Sequence, residues 1–235
     1  MTFFIERIIN LKSHIEVIMR KSNVRAHRPG VFFLATVLLL LTCPGSESHA
    51  LNMGDVRGDV VAFTQSGNMD AVATLAAFNP DLAAGIAGIA VETKPDLAKI
   101  VIDRIVGVVP ARAVDIADSV AAAAPDQAPA IAAWIAKKMP PAQAAGIARR
   151  IAGKVPKKYA PAVAGCVAQA ASPEYAADIA AAVTSAVPDG AVAIADSVAS
   201  AMPSATAEIA VRVAQAAPDQ AVAIAGWVAG KIPKE

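Results

Sequence analysis

Pro125-Asp126-Gln127-Ala128-Pro129-Ala130-Ile131-Ala132-Ala133-Trp134-Ile135-Ala136 and Pro218-Asp219-Gln220-Ala221-Val222-Ala223-Ile224-Ala225-Gly226-Trp227-Val228-Ala229 are two copies of one pattern. The pattern restarts at Pro80, Pro95, Pro110, Pro125, Pro141, Lys157, Pro173, Pro188, Pro203 and Pro218 and closes at Pro233, a step of about 15 residues that defines ten units. The step lengthens around Pro140-Pro141 and around Pro156 and Ser172-Pro173, where the turn absorbs an extra residue.

With the proline as position 1, positions 7, 8, 11 and 15 are apolar or small almost throughout and positions 4 and 12 are usually alanine. That three-and-four spacing marks one face of a helix and not the alternation of a strand. Proline suits the first helical position because its φ is already helical and its missing N–H would find no partner there. It also pushes the preceding residue out of helical geometry, which ends the helix before it. Acidic residues follow at Asp81, Asp96, Asp126, Glu174, Asp189 and Asp219, in the first turn, where they meet the positive end of the helix dipole.

Each unit therefore reads as one helix of about 12 residues, too short to be stable alone in water. Short turns imply antiparallel helical hairpins, and their stacking gives an all-α fold, an α-solenoid of about ten 15-residue single-helix units. The chain resembles tetratricopeptide and HEAT arrays only in being short helices in tandem, since their signature residues are absent. The composition fits close stacking: 56 % of residues are apolar but only 4 % aromatic, so helices meet through alanine, valine and isoleucine.

Ahead of the repeats, residues 1–50 read as an export signal. Arg20, Lys21, Arg25 and Arg28 form a basic segment, Val31 to Cys43 an apolar one, and Ser48-His49-Ala50 a small-residue cleavage site. Met19 offers an alternative start. The apolar run is about 13 residues, short of the roughly 20 that span a bilayer. The expected location is periplasmic or extracellular, after cleavage near Ala50. Residues 51–67, with Gly54 and Gly58 among charged residues, read as an irregular leader or cap. They contain Arg57-Gly58-Asp59, read as a chance match to an adhesion tripeptide. The repeat domain is assigned to residues 68–235, beginning with a degenerate helix from Asn68 to Phe78.

Removing residues 1–50 takes the basic count from 21 to 15 and the acidic count from 20 to 17, which makes the formal charge −2. It also removes His14, His27 and His49, so no Ser–His pair, Cys–His pair or histidine zinc site can form in the remainder. The carboxylates recur in register with the repeat, as Asp118 and Asp196 do, and read as a solvated face. No glycine-rich phosphate loop is present, and no cofactor is expected. The remaining cysteine, Cys166, reads either as a small buried apolar residue or as a thiol for a second chain.

Function then rests on what varies between units. Position 10 holds Arg104, Trp134, Arg150, Arg212 and Trp227 among others, a mixture suited to a partly exposed interface, with both tryptophans on units of the same layer. Lys137, Lys138, Arg149, Arg150, Lys154, Lys157 and Lys158 form a basic middle, for Asp126 and Glu174 have no acidic residue between them. The expectation is a non-enzymatic exported scaffold for protein binding or self-association. The alternative is a module that binds an anionic polymer or membrane surface through the basic units. Nucleic acid is not an expected partner of an exported protein.

Overall fold

The computed structural model describes residues 53–231, and these form twelve α-helices with no strand among them. In chain order they are α1 (Met53–Gln65), α2 (Met69–Phe78), α3 (Ala83–Thr93), α4 (Ala98–Val108), α5 (Ala113–Ala123) and α6 (Ala128–Lys138). The second half continues with α7 (Ala144–Lys154), α8 (Ala160–Ala170), α9 (Ala176–Ala186), α10 (Ala191–Ala201), α11 (Thr206–Ala216) and α12 (Ala221–Lys231). The expected export signal, its cleavage site and Cys43 lie outside the described residues.

The unit starts differently from the sequence expectation. The proline opens a three-residue 3-10 turn, as at Pro110–Arg112, and the α-helix begins at the alanine of position 4 and runs for 11 residues. One residue links successive units. Val109 donates its N–H to the Ile105 carbonyl at 2.8 Å, ending α4, and its own carbonyl accepts the Arg112 N–H at 3.1 Å, starting the next turn. Its φ of −130° and ψ of 63° are the non-helical values that a following proline favours. Where the step is 16 residues, two extended residues replace the one, as at Met139-Pro140, Val155-Pro156 and Ala171-Ser172.

A second correction concerns residues 51–67. Met53–Gln65 is helical, because Val56, Val60 and Thr64 recur every four residues and are buried, and that burial outweighs the cost of Gly54 and Gly58. Asn68 caps the next helix, its Oδ1 accepting the Ala71 N–H at 3.2 Å.

The repeated face is the core. Position 7 is buried in every unit from Ile86 through Ile116, Ile147 and Ile194 to Ile224, and so is position 11 as far as Val213. Full burial of such a side chain contributes about 1.5 to 3 kcal/mol. Position 8 is alanine in every unit except one, and Ala87, Ala117, Ala132, Ala148, Ala164, Ala180 and Ala195 have no accessible surface.

The closest packing joins helices two apart: α1 with α3, α3 with α5, α7 with α9 and α9 with α11 in one layer, and α2 with α4, α6 with α8 and α8 with α10 in the other. Consecutive helices pack more lightly and are splayed, the chain turning by 118° between α2 and the Pro80–Thr93 segment. The result is a two-layer solenoid in which residues about 31 to 35 apart are neighbours.

The stack loosens between α10 and α12, and a seam interrupts it more completely between α4 and α6. The barrels of α4 and α6, which should pack as their counterparts do, stand apart, and α5 and α7 pack more loosely than other odd-numbered neighbours. Only the starting turns of α4 and α6 are tied, through Gln127 Nε2 to the Pro95 carbonyl at 2.8 Å. The unit just before the seam is the exception at position 8: Ile102 replaces the alanine and is buried, adding bulk where the other helices approach closely.

Candidate position 10 interface and charge ladder

Position 10 meets its own stack before it meets solvent. Arg104 Nη1 lies 2.8 Å from Asp70 Oδ1, Arg150 Nη2 2.8 Å from Asp115 Oδ1, and Arg212 Nη2 2.9 Å from Asp178 Oδ1. In each case an arginine at position 10 reaches an aspartate at position 6 two units earlier. The signal was present in the sequence as Asp and Arg 34 or 35 residues apart, but it is invisible until helices two apart are known to be neighbours. These pairs are solvent-exposed, and each contributes about 0.2 to 1 kcal/mol.

The two tryptophans sit in the same layer, on α6 and α12, and differ in their surroundings. Trp227 is half-buried and donates Nε1–H to Asp196 Oδ1 at 2.8 Å, while Lys231 Nζ lies 2.7 Å from the same oxygen. The hydrogen bonds of Lys231 first and Trp227 second hold the Asp196 carboxyl below its ordinary range. Trp134 is also half-buried, but it has no such acceptor among the described residues; Lys138 Nζ sits 5.5 Å from its ring centroid.

The deepest charge in the array lies at the odd-layer side of the seam. Asp118, its side chain 9 % exposed, receives Arg150 Nε at 2.9 Å and Nη2 at 2.6 Å on Oδ2, while its buried Oδ1 has no partner among the described residues. Burial raises its pKa above the ordinary 3.8, and the Arg150 charge only partly opposes this. Arg150 also bridges to Asp115, which pairs with Arg112, which reaches Asp81. This chain of charges runs from the starting turn of α3 through α5 to α7.

The basic middle does not converge. Lys137 and Lys138 end α6, whereas Lys154, Lys157 and Lys158 lie at the far end of α7, a helix of about 16 Å. Arg150 is held by Asp115 and Asp118, Lys157 by Asp189 at 2.7 Å, and Lys158 lies over the Tyr159 ring. Lys137, Arg149 and Lys154 have no ion-pair partner among the described residues.

Apolar side chains remain outside the core in three places, the first being Phe78 at the end of α2, 62 % exposed. Ile100 and Val108 on α4 are each 47 % exposed beside the seam, and Val211 and Val222 are 56 % and 87 % exposed on α11 and α12. Cys166 is a free, half-buried thiol at position 10 of α8. Arg57 of the Arg57-Gly58-Asp59 tripeptide is in α1 and pairs with Glu92 at 3.5 Å. A shallow groove of about 360 Å³ crosses α1, α3 and α5 where Gly85 and Gly88 lack side chains. Among the described residues no group of three or more His, Cys, Asp or Glu side chains is placed to hold a metal, and no single helix is long and apolar enough to cross a membrane. The chain matches no known protein family, no curated protein and no solved structure.

Proposed function

We propose that the protein is an exported, non-enzymatic scaffold that binds other proteins or further copies of itself. The observation that supports this reading most is the apolar material left on the even layer: Ile100 and Val108 half-exposed on α4, followed by half-buried Trp134 on α6. Solvent-exposed aliphatic residues beside an amphipathic aromatic ring are the chemistry of interface anchors. The test is the mass of the full chain by light scattering, with and without about 0.5 M salt. Association through this face persists in salt and is lost in Ile100→Ser and Trp134→Ala variants. A monomer at every concentration and salt level rules out self-association and leaves only a different protein as partner.

The second reading, an anionic polymer or membrane surface, draws on Lys137, Arg149 and Lys154, which form no ion pair among the described residues. Binding to anionic phospholipid vesicles through them would fall steeply above roughly 0.2 M salt. Binding to neutral vesicles as well, with no dependence on salt, counts against it.

A further inference from the structure

The seam carries a clasp that is made elsewhere in the same array. In the α10–α12 pair, Asp196 at position 9 accepts from Trp227 at position 10 and pairs with Lys231 at position 14, both on the helix two units later. In the α4–α6 pair the same three residue types stand at the same three positions: Asp103, Trp134 and Lys138. Both Asp–Trp pairs are separated by 31 residues and both Asp–Lys pairs by 35. Yet Asp103 is exposed and makes no hydrogen bond or ion pair among the described residues, and Lys138 has turned onto the Trp134 ring instead.

The odd-layer side of the seam shows the corresponding contact closed, with Asp118 at position 9 holding Arg150 at position 10. The seam is thus fastened along α5–α7, tied at the starting turns of α4 and α6 by Gln127, and open between their barrels. We infer that this seam is a built-in conformational device with two states: the open one seen here, and a closed one in which α6 stacks on α4 and Trp134 Nε1–H and Lys138 Nζ engage Asp103. Closing covers Ile100, at position 6 on the α4 edge that faces the next helix of its layer, and straightens the stack into the geometry of its other units. The interactions gained on closing are those of exposed groups, so neither state dominates by a wide margin.

Distances between paired spin labels test this in the full chain carrying Cys43→Ala and Cys166→Ala. Position 13 is exposed in all four relevant helices, so Gly107→Cys with Lys137→Cys reports the seam, and Ser200→Cys with Gly230→Cys gives the clasped reference. The seam pair is expected to show two populations, the shorter matching the reference distance. Asp103→Asn, an exposed change that leaves the core intact, should cut the shorter population by about two- to fivefold. Trp134→Phe, which keeps the ring but removes the N–H, should act in the same direction. A single population at either distance, or a shorter population that ignores both substitutions, overturns the inference.

Discussion

Asp118 shows how a solvated-looking residue changes character once it is stacked. In the sequence it recurs at the same position as Asp196, yet only Asp118 is buried, with Arg150 of α7 laid over it. Since burial raises its folded pKa above 3.8, its protonated form is the one the fold prefers. The stability it contributes is complete below its unfolded value and is lost as pH rises through the raised one. Asp196 has the opposite sign: its lowered pKa stabilises the fold above the ordinary value, and that contribution is lost as pH falls. Asp118→Asn cannot titrate. Its melting temperature relative to the unsubstituted chain should therefore climb as pH rises above about 3.8, and a difference that stays flat or falls would mean the carboxylate is not desolvated.

Among the helices, small residues decide how near neighbours come. A methyl on Gly165 of α8 would run into the Ser197 hydroxyl of α10 and come within 3.2 Å of the Ser197 carbonyl oxygen, whereas one on Gly146 of α7 meets nothing within 4 Å. Gly165→Ala should lower stability by about 1 to 3 kcal/mol. Gly146→Ala should raise it by about 0.5 to 1 kcal/mol, because alanine has less backbone entropy to lose. Both are read by chemical denaturation of the full chain. Ala132→Leu, at a fully buried position 8, should likewise cost about 1 to 3 kcal/mol. An unchanged midpoint would show that helices do not meet there.

These helices were legible from Pro80 onward because core spacing, proline punctuation and acidic first turns all agree on one period. The burial of positions 4, 7, 8, 11 and 15 follows the same face. Helix α1 was not legible: Gly54, Gly58 and three charged residues hide Val56 and Val60, and only the partner helix α3 reveals which residues matter. The position 10 arginines were visible as a variable site, but their aspartate partners lie two units away, a distance set by stacking and not by any local pattern. The even-layer seam was equally hidden, since one isoleucine among nine alanines at position 8 carries no meaning until the layers are known.

Across the described residues, the decisive feature is that helices pack on the one two units away, α4 and α6 excepted, which turns a period of 15 into contacts at about 31 to 35. That rule sets the arginine ladder and the Asp196 clasp, and the seam between α4 and α6 is where the stack departs from it. In α12 the only buried residue is Ile224, and Val222 stands open. Gly88 of α3 and Ser119 of α5 test the rule most directly, because a Cβ on Gly88 would lie 3.6 Å from the Cβ of Ser119, within the span of a disulfide. In the full chain with Cys43 and Cys166 replaced by alanine, Gly88→Cys and Ser119→Cys should oxidise to an intramolecular disulfide in nearly every molecule, as read by mass spectrometry under native conditions. Free thiols, or disulfides only between chains, would contradict the two-layer stacking on which the account stands.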